Sequence, residues 1–207
     1  SKLENGAYTL TLNSASPALD MGLSAAGKIE KQGGDLSLSG DFRQIDLKRL
    51  NFSSSESVLA FGLKIDASAT DSLTFKVDTR ISGTSWQTNY RKNKFRDIDV
   101  HVDGSRSYLS ANVQSGDFRA DFHSADNVSR FSDKLGRSIS LLSQQIRQGA
   151  VNMKNIQEGM PGFRLTANAG ANNFINNFLK SKNLQIKDAS LLAVSDSVSP
   201  FLLQGNI

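Results

Sequence analysis

The sequence predicts a mainly β protein with two helices, a β-rich α+β fold built on a one-sided and largely antiparallel sheet. Three observations carry this prediction. Apolar residues alternate with polar ones from Tyr8 to Phe122, turn signals break the alternation at short intervals, and the spacing lengthens to three or four after Phe122.

The first strand signal is Tyr8, Leu10 and Leu12 alternating with Thr9 and Thr11. Leu59, Phe61, Leu63 and Ile65 alternate with Ala60, Gly62 and Lys64. Leu73, Phe75, Val77 and Ile81 keep one phase across Thr74, Lys76, Asp78 and Arg80. Ile98, Val100 and Val102 follow, then Leu109, Ala111 and Val113, then Phe118, Ala120 and Phe122. Successive strand side chains point to opposite faces, so each segment offers one apolar face and one polar face. A sheet buried on both sides would show continuous apolar runs instead. Turn signals at Gln32-Gly33-Gly34-Asp35, Ala69-Thr70-Asp71-Ser72, Asp103-Gly104-Ser105 and Gln114-Ser115-Gly116-Asp117 leave no room for crossover helices. An antiparallel meander follows. Two short echoes run through it. Ser39-Gly40-Asp41-Phe42-Arg43 recurs as Ser115-Gly116-Asp117-Phe118-Arg119, and Phe42-Arg43-Gln44-Ile45-Asp46 resembles Phe95-Arg96-Asp97-Ile98-Asp99. Such similarities are either an internal repeat or the product of one strand composition.

Beyond Phe122, Val128, Phe131, Leu135, Ile139, Leu142 and Ile146 fall three or four apart, which predicts an amphipathic helix ending by Gly149. Its face of Phe131, Leu135, Ile139, Leu142 and Ile146 is expected to pack on the sheet. Pro161-Gly162 leads into a strand at Phe163–Ala167, and a second helix fits Asn172 to Lys182. Two closing strands, Leu184 to Val194 and Phe201 to Ile207, flank a turn at Ser197-Val198-Ser199-Pro200. The chain reads as one module: a meander over 1–123, a helix over 124–150 and a strand-helix-hairpin over 160–207. Its opening at Ser1-Lys2-Leu3, with no basic run followed by an apolar one, and its strand-like ending lead us to expect a segment cut from a longer polypeptide.

Composition narrows the chemistry. There are no cysteines, which removes disulfides, thiolate metal sites and cysteine nucleophiles. No stretch approaches the roughly 20 apolar residues of a membrane-spanning helix. The net charge of +4 is spread along the chain, its densest cluster being Arg91-Lys92-Asn93-Lys94-Phe95-Arg96, read as a solvated turn in preference to a phosphate-binding patch. His101, between Asp99 and Asp103 on a polar strand face, and His123 are the only histidines, and neither sits in a triad pattern. Asp97, Asp99 and Asp103 lack the glycine and distal glutamate of a calcium loop, so no metal is expected. No phosphate-binding glycine motif occurs. Trp86, Tyr90 and Phe95 among basic residues are better explained as a hairpin end with an interfacial aromatic than as a nucleic-acid surface. A non-catalytic protein without cofactors is expected.

That leaves the apolar stripe. One helix of roughly 20 residues, about 30 Å long, cannot cover ten or so strands. The remaining stripe then lines a groove open to lipid chains or is covered by neighbouring domains. The pattern Tyr90–Gly104 followed by Leu109–Ser115, an aromatic, a basic turn, a strand, a glycine and a strand, resembles the recurring unit of the TamB and AsmA-like envelope proteins. The stretch from Met160-Pro161-Gly162-Phe163 through Ala169–Asn173 to Phe178-Leu179 is similar to a segment of large TamB-like proteins. The resemblance covers residues 80–207, and the first 80 by pattern only. It implies an elongated, twisted sheet curled into a trough or open barrel, with the amphipathic helix on its apolar face. It also implies a periplasmic segment of an inner-membrane-anchored protein that moves phospholipid between membranes or supports outer-membrane protein assembly. The expected groove lining is Leu59, Phe61, Leu63, Ile65, Leu73, Phe75, Val77, Ile81, Ile98, Val100, Val102, Phe118 and Phe122. Expected partners are membrane lipids, adjoining domains of the same polypeptide and an outer-membrane assembly protein. The alternative is an extracytoplasmic adhesion or carbohydrate-binding module, with Trp86 and Tyr90 stacking on sugars.

Overall fold

The computed structural model describes residues 2–4, 6–196 and 201–206. Its first ten strands are β1 (Lys2–Glu4), β2 (Ala7–Ala15), β3 (Leu19–Ile29), β4 (Gly34–Asp46), β5 (Ser57–Ala69), β6 (Phe75–Thr88), β7 (Lys92–Lys94), β8 (Ile98–Gly104), β9 (Leu109–Ser115) and β10 (Phe118–Ser124). Helices α1 (Val128–Arg147) and α2 (Met153–Gly159) follow, then β11 (Phe163–Ala169), α3 (Phe174–Ser181), β12 (Ala189–Ser195) and β13 (Leu202–Asn206). All strands join one antiparallel sheet in chain order, with β7 as a side branch on β6, and the sheet does not close on itself. The expected turn at 197–200 lies outside the described residues.

Register makes the face continuous. One row of directly paired residues runs Leu10, Ala25, Leu38, Ile65, Thr79, Val100, Val113, Ala120, Ala167, Leu191. The next runs Tyr8, Gly27, Leu36, Ala67, Val77, Val102, Ala111, Phe122, Leu165, Ala193, Leu203. Between them on the opposite face lies Thr9, Ala26, Ser37, Asp66, Asp78, His101, Asn112, Asp121, Thr166. Two glycines on this face lie under rings of neighbouring strands, Gly27 under Tyr8 and Gly104 under Phe75. A side chain on Gly104 would strike the Phe75 ring, which lies over that glycine from the paired position.

The two-residue period slips in three places around β5. Phe42 and Ile45 of β4 both share the face of Phe61 and Leu59, so one extra residue is absorbed at Arg43-Gln44. In β6 another is absorbed around Gly83, which takes a left-handed φ of 62°. From Asn93 to Ile98 the chain likewise takes one residue more than the alternation needs, because their partners Trp86 and Ile81 share a face. The Phe-Arg-x-Ile-Asp echo thus marks two equivalent slips, which bend and twist the sheet locally. The other echo marks nothing equivalent. Ser39–Arg43 is mid-strand, whereas Gly116-Asp117 is a two-residue hairpin turn with Gly116 at φ 59°.

The molecule is open. Its accessible surface is 13288 Å² at 22.5 kDa, against about 9,500 Å² for a compact monomer of that mass. In β2–β6 the buried residues are Ala25, Gly40 and Ser57, and no large apolar side chain there is buried. On the same strands Leu36, Leu38, Leu63 and Ile65 are half-buried, while the small Ser37 and Ser39 of the opposite face are exposed. A sheet curled toward its apolar side, a trough, gives that asymmetry.

The helices sit over the second half of the sheet. Asn127 caps α1 by accepting from the Arg130 N–H at 2.9 Å, and its amide donates to the Arg106 carbonyl at 3.1 Å. Phe131 then meets the apolar face, edge-on to Phe122 at 5.2 Å and to Phe163 at 6.2 Å. Leu135 and Leu142 are half-buried, but Ile139 and Ile146, expected against the sheet, are 56% and 60% exposed. The helix is turned so that Ser138 and Gln145 face inward instead. Gln145 Oε1 accepts the Asn152 N–H at 2.6 Å, which ties this side of the helix to the start of α2. The α2 helix was not foreseen, and the strand expected from Leu184 begins only at Ala189 because 182–188 form the connection leaving α3.

Candidate functional site: the apolar face

Of the thirteen residues expected to line a groove, twelve share one face. Leu59, Phe61, Leu63 and Ile65 come from β5, Phe75, Val77 and Ile81 from β6, Ile98, Val100 and Val102 from β8, and Phe118 and Phe122 from β10. Leu73 is the exception. It stands in the 70–74 turn, where Asp71 Oδ1 accepts the Leu73 and Thr74 N–H groups at 2.8 Å each, so the strand starts two residues later. Leu10, Leu12, Leu23, Leu36, Leu38, Trp86, Leu165 and Leu191 complete the face. Those on β3 and β4 escaped sequence reading because glycine and alanine share their alternation.

Strands lie about 4.8 Å apart, so a row crossing eleven of them is about 48 Å long. That exceeds the roughly 30 Å hydrocarbon thickness of a bilayer. The packing within the face is aromatic at its centre, with Phe42 stacked on Phe61 at 4.6 Å. Cover is uneven. Helix α1 reaches it at Phe122 and Phe163, and α3 at Phe118, where Phe174 packs edge-on at 5.6 Å. The first strands keep Leu10 and Leu12 at 45% and 49% exposure.

Helix α3 is held by a polar clamp that the sequence reading missed. Asn176 is fully buried; its amide donates to the Ile186 carbonyl at 2.7 Å and to Gly170, and its Oδ1 accepts the Ile186 N–H at 2.8 Å. Asp117, in the β9–β10 turn, accepts the Asn172 N–H at 2.8 Å and the Asn173 amide at 2.7 Å. Burial pushes its carboxyl up, but the hydrogen bonds from Asn173 and from backbone N–H groups outweigh it and hold the carboxyl below its ordinary value.

The opposite face is a lattice of exposed charges. His101 Nδ1 lies 2.6 Å from Asp78 Oδ1, not against Asp99 or Asp103. His123 stacks on Tyr108 at 6.2 Å. Among the described residues no three metal-ligating side chains gather into a site, and no helix is long and apolar enough to cross a membrane. Trp86 donates from Nε1 to Ser57 Oγ at 2.6 Å, and the Lys182 ammonium stands over its ring at 5.7 Å. One face of the indole is therefore occupied.

The fold and face together define an open, one-sided β trough with helices over one half. Compared with protein families, curated proteins and solved structures, the chain matches none.

Proposed function

We propose that this chain is a non-catalytic segment of a cell-envelope protein of the TamB and AsmA-like kind, whose apolar face carries lipid acyl chains between membranes or serves outer-membrane protein assembly. The observation that carries the reading is the predominantly apolar face whose rows cross up to eleven strands with no large side chain of β2–β6 buried. Exposed apolar surface of this extent costs free energy in water, roughly 25 cal/mol per Å², and acyl chains laid along it remove that cost without directional bonds. The outer face, a lattice of Lys64, Asp66, Asp78, Arg80 and Asp99, keeps the back of the sheet in water. The periplasm is the compartment that fits such a carrier. Replacing Phe61 or Phe75 by Asp should abolish phospholipid co-purification with a folded protein. Unchanged lipid content in both variants would sink the proposal.

A further inference from the structure

The basic cluster at Arg91–Lys94 finds no use in the apolar face, and the fold gives it company. Ser57 pairs with Thr88, so the 47–56 loop and the 89–91 turn leading into β7 emerge side by side at one end of the sheet. Helix α3 joins them through Lys182 over Trp86 and through the Arg96 N–H, which donates to Asn177 Oδ1 at 2.9 Å. Segments 46–57, 88–95 and 174–184 contain seven basic and two acidic residues, an excess larger than the +4 of the whole chain. Both acids are already engaged, Asp46 with Arg49 at 3.2 Å and Glu56 with Lys48 at 3.8 Å. Among the described residues Arg91, Lys92 and Lys94 are exposed and have no carboxylate partner.

Apolar side chains protrude from the same end. Phe52 is 79% exposed, Tyr90 93%, Leu184 59% and Phe178 48%. Nothing in the fold requires a phenylalanine or a tyrosine at such exposure. The apolar face runs up to this rim through Ile45, Leu59 and Trp86.

We infer that this rim docks on an anionic phospholipid surface, Phe52 and Tyr90 entering the headgroup region while Arg91, Lys92 and Lys94 meet lipid phosphates. Basic residues near an anionic leaflet and amphipathic aromatics at its interface act together in this way. The exposed aliphatic Leu184 of the same segment as Lys182 suits insertion into lipid better than stacking on nucleic-acid bases. Docking would set the open end of the trough against a source of acyl chains. The inference goes beyond the groove reading, because rim and face use different residues.

The test is co-sedimentation of the full chain with vesicles of phosphatidylglycerol in phosphatidylcholine, against vesicles of phosphatidylcholine alone. Binding is expected only to the anionic vesicles and is expected to weaken as salt rises. The triple variant Arg91→Ser, Lys92→Ser, Lys94→Ser should lose affinity on the order of 100-fold. The pair Phe52→Ser, Tyr90→Ser, at unchanged charge, should also weaken binding. Phe52 and Tyr90 lie in exposed bends, and Arg91, Lys92 and Lys94 are exposed at and within the short side strand β7, so circular dichroism should stay as in the parent. Equal binding to neutral vesicles, undiminished binding by either variant, or tighter binding to single-stranded nucleic acid than to vesicles overturns the inference. Phe61→Asp should leave docking intact, so loss of lipid from the face and loss of docking are separable results.

Discussion

Leu63→Ala measures how open the apolar face is in solution. Leu63 lies in the middle of the sheet, paired with Gly40 on one side and Ile81 on the other, and is half-buried with no buried large neighbour on its strand. Full burial of a leucine side chain is worth about 1.5–3 kcal/mol, so removing a half-buried one costs about 1 kcal/mol. No sealed cavity forms, because the vacated space opens to solvent. In a closed core the same substitution adds a cavity term and costs about 3–5 kcal/mol. Urea denaturation followed by circular dichroism, with the slope m unchanged, reads the difference directly. Ile156→Ala is the internal standard, since Ile156 is 4% exposed and should cost about 2–5 kcal/mol. A Leu63→Ala cost equal to that of Ile156→Ala would refute the reasoning, because it means the face is covered.

The clamp and turn residues make further predictions. Asn176→Ala strands the Gly170 and Ile186 carbonyls and the Ile186 N–H, and should cost about 3 kcal/mol, with amide exchange accelerated first in α3 and the 182–188 connection. Gly116→Ala places a left-handed residue against the Asn172 carbonyl oxygen and should destabilise by about 2–3 kcal/mol in the same denaturation assay, more than Gly136→Ala, where a side chain meets open space. Because the Asp117 carboxyl is held below its ordinary value of 3.8, its stabilisation is present above that value and lost as pH falls through the lower folded value. Asp117→Asn should therefore lower stability at neutral pH and flatten the acid limb of a stability-against-pH curve, and an unchanged limb would count against the assignment.

The period-2 signal made the strands with large apolar residues legible, and the phase it gave to β5, β6, β8 and β10 matches their shared face. It was blind where small residues hold the inward positions, as Ala25 and Gly27 do in β3 and Gly40 in β4. The extra residues near Arg43 and Gly83 were also invisible, since a bulge reads locally as lost alternation. The helix α1 was legible as a helix but not in its rotation. An apolar arc predicts the buried side only when hydrophobic contact decides the packing. Here Gln145 takes an inward position with its hydrogen bond from Asn152, and Ile139 and Ile146 are left outside. The Asn176 clamp has no periodic signature, because its partners are backbone groups brought together by the turn of the chain after α3.

Paired photo-crosslinking across the thickness of the sheet tests the central claim most directly. Neighbouring residues on one strand point to opposite faces, so Leu63 against Lys64 and Val100 against His101 form matched pairs at the same depth in the sheet. With a photoreactive residue placed at each in cells, lipid adducts are predicted at Leu63 and Val100 and not at Lys64 or His101. Adducts at equal yield on both faces, or none at Leu63 and Val100, would contradict the account.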